Sequence, residues 1–222
     1  MEKSKGRGRK AAPLCLCADR IPIKLWAMPR PAPDRLRTAP HQIRIIGGDW
    51  KRTRLDVPDK PGLRPTPDRV RETLFNWLGQ DLGGWRCIDA FAGTGALGLE
   101  AASRGAADVL LIDSDGELVD LLRAVTRRLE AAQVRIQRGN ALQLLAALPP
   151  ASADLVFLDP PFDAGLFDKA LKAACVPLAP EGFLYLEAPQ AWDDIMLSPF
   201  GLQCVRHLRA GAVHSHLLRR TA

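Results

Sequence analysis

The sequence predicts an open α/β sheet, and three observations lead to that prediction. The apolar run Ala153–Leu158 is typical of a buried strand, and it ends abruptly in Asp159-Pro160-Pro161-Phe162. A glycine loop, Gly93-x-Gly95-x-x-Gly98, lies between a predicted strand and a predicted helix. The next strand ends in Asp113. Strand, loop, helix, strand and acid in this order indicate a site for an adenosine-type ligand.

The chain of 222 residues suits one domain with an appendage. Residues 1–54 carry 14 Lys/Arg against 4 Asp/Glu, whereas the remaining residues carry 17 against 21. Basic charge at one end of a chain favours a polyanionic partner, most simply nucleic acid. Residues 1–40 are rich in Lys, Arg and Pro without a sustained period, which predicts a disordered basic tail.

The composition also excludes several classes of protein. No apolar run is long enough to span a membrane. The five cysteines are odd in number and scattered, which fits a reducing compartment and predicts a cytoplasmic location. Cys15 and Cys17 lack a partner pair at zinc spacing, so no metal site is expected.

Residues 41–60 are predicted to form a β-hairpin. Its strands would be Gln42–Ile46 and Lys51–Val57, joined by a Gly47-Gly48-Asp49 turn. Four basic side chains on this hairpin are available for phosphates of RNA or DNA: Arg44, Lys51, Arg52 and Arg54. The alternative is an ordinary edge hairpin with a solvated face.

An amphipathic helix that ends near Leu78 is predicted before the first strand of the central sheet. Thr66 suits its N-cap and Pro67 its first position. Apolar residues recur at helical spacing, namely Val70, Leu74, Trp77 and Leu78. Arg69 and Arg71 are not on that stripe, so by composition they are surface charges.

Asp89 lies near the end of the predicted strand Arg86–Ala90, just before the glycine loop. Its charge discriminates between cofactors. A dinucleotide presents an anionic pyrophosphate to this loop, and a carboxylate would repel it. A ligand with an ammonium and a sulfonium would be attracted, which favours S-adenosylmethionine over NAD. Asp113, at the end of strand Asp108–Asp113, is placed to accept hydrogen bonds from ribose hydroxyls.

The rest of the chain continues the alternation of helices and strands. Asn140 follows the third strand, where it is either a helix N-cap or a hydrogen-bond partner of an adenine. His207, His214 and His216 alternate with apolar residues and are predicted to line the polar face of strands. The predicted elements are a helix at Asp115–Glu130, a strand at Val134–Gln137, a helix at Gly165–Cys175, and strands at Gly182–Glu187, Leu202–Arg209 and Val213–Arg220.

The turn Asp159–Phe162 is the predicted reaction site. Two consecutive prolines end a strand ladder because neither has an amide hydrogen to donate. Acceptors beside an aromatic face suit a flat ring that bears an amine. Phe162 would stack on that ring, while Asp159 and the Pro160 carbonyl would hold the amino group. The alternative is a buried strand with a proline-capped turn.

From His41 to Arg220 the chain resembles a Rossmann-like, seven-stranded class I S-adenosylmethionine-dependent methyltransferase. Four segments carry a closer resemblance, to the bacterial 16S rRNA guanine-N2 methyltransferase family, which modifies the guanine at position 966. These segments are Ile43–Gly48, Leu63–Leu78, Asp89–Ala101 and Asp159–Phe162. The resemblance implies a methyltransferase domain at residues 61–222 and an RNA-contacting hairpin at 41–60.

The resemblance also implies a role for particular residues. The glycine loop, with Phe91, Gly93 and Gly95, would wrap the methionine part of the cofactor, and Asp89 would lie near its amine. Asp113 would hold the ribose, and Asn140 and Ala141 would flank the adenine. The segment Arg64–Glu72, including Arg69, would close over the cofactor. Asp159, Pro160 and Phe162 would receive the guanine.

The expected activity is therefore direct methyl transfer to guanine N2 in 16S rRNA, by a monomer that acts on the 30S subunit or an assembly intermediate. A DNA adenine-N6 methyltransferase is the main alternative, because the Asp-Pro-Pro-aromatic motif serves exocyclic amines generally. Only 60 residues follow Phe162, and they show no base-reading domain. An NAD-dependent oxidoreductase and a non-catalytic RNA-binding protein are further alternatives.

Overall fold

The computed structural model describes residues 42–221, and the predicted tail of residues 1–40 lies outside them. The strands are β1 Gln42–Arg44, β2 Arg54–Asp56, β3 Arg86–Asp89, β4 Asp108–Asp113, β5 Val134–Arg138, β6 Ala153–Leu158, β7 Leu178–Ala188, β8 Leu202–Ala210 and β9 Val213–Arg220. The helices are α1 Asp68–Leu78, α2 Ala96–Ser103, α3 Gly116–Arg128, α4 Ala141–Ala147, α5 Phe167–Ala174 and α6 Asp194–Leu197.

Seven strands form one central sheet in the order β5-β4-β3-β6-β7-β9-β8. The first five in that order are parallel, and β9 is antiparallel to both of its neighbours. The predicted α/β fold with a seven-stranded sheet is confirmed. The strand order reverses between β3 and β6, and in such sheets ligands bind beyond the carboxyl ends of the strands at that point.

Both faces of the sheet are buried, so its central strands are apolar along their whole length. In β4, Val109 and Leu111 pack on one face, while Leu110 and Ile112 pack on the other. The first face is covered by β1, β2 and helices α1 to α3, and the second by α4, α5 and α6. This pattern is typical of parallel sheets with helices on both faces.

Element boundaries differ from the predicted ones at several places. The hairpin strands are only three residues long, and β7 begins at Leu178 rather than Gly182. The one-turn helix α6 was not predicted, and a 3₁₀ turn at Phe162–Ala164 precedes α5. Thr66 does not cap α1, whose N-cap is Pro67 without a side-chain hydrogen bond. Thr66 is instead buried and bonds to the Glu187 side chain.

Among residues 42–221, no helix is both long and apolar enough to cross a membrane. The cysteines in that part of the chain, Cys87, Cys175 and Cys204, form no disulfide.

The carboxylate of Glu100 joins the hairpin to α2, which packs on the central sheet. It is fully buried in α2 and accepts hydrogen bonds from the backbone N–H groups of Ile46 (2.7 Å) and Gly47 (2.8 Å). It also pairs with the guanidinium groups of Arg71 (3.2 Å) and Arg104 (2.8 Å). Two buried cations and two backbone donors therefore depend on one carboxylate.

The prediction that Arg71 is a surface charge was wrong. Its side chain is 0% exposed, and besides Glu100 it pairs with Asp68 at 2.7 Å. It also donates to the backbone oxygens of Thr66 (3.2 Å) and Arg44 (2.8 Å). All three nitrogens of this guanidinium form hydrogen bonds that join α1, the hairpin and α2, which is how a buried arginine is tolerated.

The prediction that His216 lines a polar face was also wrong. Its ring is fully buried, where Nε2 accepts a hydrogen bond from the Trp192 N–H (3.0 Å) and Nδ1 lies 3.3 Å from the Leu186 oxygen. This arrangement requires the neutral ring with its proton on Nδ1. Burial therefore lowers the pKa of His216 to about 4. His207 and His214 stack beside it, and they are exposed and half-buried respectively.

We expect Glu100→Gln to lower the free energy of unfolding by about 3–5 kcal/mol, because it leaves the buried guanidinium of Arg104 without its anion and that of Arg71 with Asp68 alone. Urea unfolding followed by circular dichroism measures this loss. Asp120→Ala is the control, since it breaks an exposed pair with Arg123 and should cost less than about 1 kcal/mol. Equal losses in the two variants would contradict the role given to Glu100.

Acid should destabilise the native protein more than a His216→Gln variant. The pKa of His216 is lower in the folded chain, so the unfolded chain binds more protons between pH 6.5 and about 4. The stabilisation is therefore present at neutral pH and lost as pH falls. Between pH 7 and pH 5 the native protein should lose about 2 kcal/mol more than the variant. Parallel pH dependences in urea unfolding would show that His216 titrates normally.

Candidate functional site

Four carboxylates lie along the carboxyl ends of neighbouring parallel strands. Asp113 ends β4, Asp89 ends β3, Asp159 directly follows β6, and Glu187 is the penultimate residue of β7. These strands are adjacent in the sheet in that order. We call this row of side chains the acidic edge. It brings together three predicted site residues and adds Glu187, which the sequence analysis did not select.

Asp89 is 2% exposed and lies at the start of the glycine loop. Its Oδ2 accepts a hydrogen bond from the Gly98 N–H at 2.9 Å. Burial raises the pKa of Asp89 to about 7, with smaller contributions from Asp113 and Glu187. A carboxyl group in this state is readily ionised by a cationic ligand placed beside it.

Two glycines let the loop and α2 pack closely against the sheet. Gly95 is the N-cap of α2, with a φ of 79° that side-chain-bearing residues rarely adopt. Gly98 faces the sheet, where a Cβ would lie only 2.2 Å from Leu111 Cδ2. On the outer side, the Leu63 side chain lies 3.1 Å from the position of a Cβ on Gly93. The segment that precedes α1 therefore lies beside the loop.

Asp113 is half-buried and holds the glycine loop at the end of β4. One of its carboxylate oxygens accepts from the Gly93 N–H (2.8 Å) and the other from the Asp115 N–H (2.9 Å). Each carboxylate oxygen has a second lone pair, so a hydroxyl donor can still be accepted. The predicted contact with a ribose stays a prediction.

Asn140 is the N-cap of α4, which is one of the two roles that the sequence left open. Its Oδ1 accepts hydrogen bonds from the N–H groups of Leu142 (3.0 Å) and Gln143 (3.2 Å). Ala141 is buried behind it. Contact with an adenine stays a prediction. The side-chain NH2 group of Asn140 would donate the hydrogen bond.

Asp159 lies between two other acids at the end of β6 and is half-buried. Burial, followed by the nearby carboxylates of Glu187 and Asp89, raises the pKa of Asp159 well above its ordinary value. Glu187 is 4% exposed and accepts a 2.7 Å hydrogen bond from the Tyr185 hydroxyl. The sequence did contain a signal for Glu187, because an acid near the end of an apolar strand is what selected Asp89 and Asp113.

Phe162 begins the 3₁₀ turn after the prolines and is half-buried. Its ring centroid lies 6.1 Å from that of Phe167, which is 6.1 Å from Trp192. Trp192 in turn lies 6.3 Å from Phe200. This row of rings supports Phe162 from one side. Stacking of a flat ligand on its remaining exposed surface stays a prediction.

The predicted RNA-contacting residues lie elsewhere, on the hairpin that Glu100 joins to α2. Arg44, Lys51, Arg52 and Arg54 are all exposed. Arg44 pairs with Asp68 at 3.0 Å, and the other three form no ion pair within the described part of the chain. Arg69 is exposed on α1 and also forms no ion pair there.

None of the ion pairs among residues 42–221 includes a member of the acidic edge. Among the side chains that the structure describes, no group of three or more His, Cys, Asp or Glu is arranged to hold a metal ion. The charge of this edge is therefore suited to a ligand with positive groups. The ammonium and sulfonium of S-adenosylmethionine fit it, whereas a pyrophosphate does not.

The chain is similar to known proteins over most of its length. The family model "Conserved hypothetical protein 95" matches residues 43–219. Ribosomal RNA small subunit methyltransferase D of Escherichia coli K12 is 42% identical over 183 residues, which cover 82% of this chain and 91% of that protein. Its namesake in Haemophilus influenzae is 34% identical over 181 residues, 79% of this chain and 93% of that protein. The solved Escherichia coli structure described as methyltransferase yhhF superposes with a TM-score of 0.70 at 38% identity, over 82% of this chain and 99% of that one.

Proposed function

The chain belongs to the conserved hypothetical protein 95 family, with relatives named ribosomal RNA small subunit methyltransferase D, and from that premise we propose that it methylates rRNA. The family resemblance found in the sequence is confirmed. We further propose that S-adenosylmethionine is the methyl donor and that the acceptor is the exocyclic N2 amine of a guanine in 16S rRNA, at position 966.

The observation that carries this proposal is the acidic edge, which has no cationic partner among residues 42–221. Asp89 would receive the ammonium of the methionine part, and Asp113 would bind the ribose hydroxyls. Phe91 and the glycine loop would surround the methionine chain, and Asn140 and Ala141 would flank the adenine. The position of Leu63 beside the loop supports closure of the segment Arg64–Glu72, which includes Arg69, over the cofactor.

The turn at Asp159–Phe162 would bind the acceptor. The guanine amine is a poor nucleophile because its lone pair is delocalised into the ring. Hydrogen bonds to Asp159 and to the Pro160 carbonyl would hold it in line with the methyl group and stabilise positive charge that develops on nitrogen. Stacking on Phe162 would contribute roughly 1–3 kcal/mol. S-adenosylmethionine, when bound, supplies the activated methyl group.

The basic hairpin would bind the RNA. Lys51, Arg52 and Arg54 are exposed and unpaired within residues 42–221, as phosphate-binding side chains are before they meet their partner. A base must leave its stack to enter a turn like Asp159–Phe162, and this is easiest in a loop or single strand. The proposed substrate is therefore 16S rRNA in the 30S subunit or an assembly intermediate.

We expect Asp159→Ala to bind S-adenosylmethionine almost as well as the native protein but to transfer methyl groups at least about a hundredfold more slowly. Binding is measured by calorimetry. Transfer is measured with labelled S-adenosylmethionine and 30S subunits that lack the modification, followed by mapping of the label on the rRNA.

Asp168→Ala removes an exposed carboxylate from the first turn of α5 and serves as the control, with transfer unchanged. Normal turnover by Asp159→Ala would contradict the role of Asp159. Label on naked DNA but not on subunits would contradict the choice of rRNA.

Replacement of Lys51 and Arg54 by Gln should weaken rRNA binding without changing kcat, because the hairpin lies away from the acidic edge. The slope of log Kd against log salt should fall by about 0.7–0.9 for each charge removed. Arg123→Gln is the control, since Arg123 is paired with Asp120 on α3. An unchanged salt slope in the hairpin variant would exclude these phosphate contacts.

A further inference from the structure

Glu187 is a buried carboxylate beside the reaction turn that the proposed mechanism does not use. The register of β6 and β7 pairs Leu158 with Leu186. Asp159 and Glu187 follow these residues, so they are neighbours at the ends of two parallel strands. The side chain of Glu187 cannot leave this position freely, because it is only 4% exposed and bonded to the Tyr185 hydroxyl at 2.7 Å.

The groups that face Glu187 are neutral or acidic. Tyr185 on its own strand and Thr66 before α1 provide hydrogen bonds. Asp159 on β6 and Asp89 on β3 are the charged neighbours, and Ser215 on β9 lies opposite in register. No Lys, Arg or His among residues 42–221 forms an ion pair with Glu187 or Asp159.

Two adjacent carboxylates, one buried and one half-buried, oppose each other's ionisation. Burial raises the pKa of Glu187, and burial together with Glu187 raises the pKa of Asp159. A carboxylate with a raised pKa is a stronger base once it is ionised. The ammonium and sulfonium of a ligand at the acidic edge would favour that ionised form.

We propose that Glu187 is a positioning residue for methyl transfer, which acts through Asp159 by making the Asp159 carboxylate a stronger base for the proton that the guanine amine loses. This inference rests on the proposed function. The N2 lone pair forms the bond to the methyl carbon, and the carbon–sulfur bond breaks with its electron pair on sulfur. One N2 proton passes to the Asp159 carboxylate, which is neutral when the methylated guanine leaves.

The test is the pH dependence of kcat for methylation of 30S subunits by the native protein, Glu187→Gln and Glu181→Gln. In Glu187→Gln the acidic limb of the kcat–pH profile should move by about one pH unit to lower pH, because Asp159 loses its like-charged neighbour. Its plateau kcat should fall, because the Asp159 carboxylate is then a weaker base. Glu181 is an exposed residue of the same strand β7, and Glu181→Gln should reproduce the native profile.

A uniform loss of activity in Glu187→Gln, with the acidic limb unmoved, would show a merely structural role and overturn the proposal. The native protein provides a second test if that variant does not fold. A native kcat profile that stays flat down to about pH 5 would mean that Asp159 titrates as an ordinary carboxyl group, and it would also overturn the proposal.

A binding measurement separates this inference from the proposed function. Calorimetry of S-adenosylmethionine binding in buffers of different ionisation enthalpy counts the protons released. At pH 7 the native protein should release more protons than Glu187→Gln, and equal release would overturn the coupling of Glu187 to Asp159. Native protein that releases these protons but methylates no rRNA would contradict only the proposed function.

Discussion

The carboxylate of Glu100 is the interaction on which the rest of the structure depends. It neutralises Arg71 and Arg104 and accepts two backbone hydrogen bonds from the hairpin. Glu100 belongs to α2, whose first residues follow the glycine loop. The helix that positions the candidate cofactor loop at one end therefore holds the candidate RNA-binding hairpin near the other. A substitution that shifts the glycine loop or the hairpin would therefore also shift α2.

The acidic edge is built in the opposite way. Glu100 has a cationic partner for each of its oxygens, whereas the buried Asp89 and Glu187 and the half-buried Asp159 have none in the described part of the chain. Such an arrangement costs free energy in the folded protein, and it is retained most often where function requires it. Glu100, which has cationic partners, stabilises the fold. The acids of the acidic edge, which have none in the described part of the chain, are suited to bind a cationic ligand.

The sequence predicted the parts of the fold and site that depend on local pattern. Buried strands, the glycine loop and the acids at strand ends such as Asp89 and Asp113 follow from short-range periodicity and turn residues. Arg71 and His216 were misplaced because their partners, Glu100 and Trp192, are far along the chain. Glu187 carries the same local signal, an acid near the end of an apolar strand, but its position beside Asp159 arises only when β7 pairs with β6.

The bond between Asp113 and the Gly93 N–H has a thermodynamic consequence. With this bond already present and Leu63 beside it, the glycine loop is ordered before any ligand arrives. The entropy of ordering that loop is lost during folding rather than during association. Binding of a small cofactor then requires little conformational change in the loop. The heat-capacity change of binding would be set by the surface that the ligand buries and not by folding of the loop.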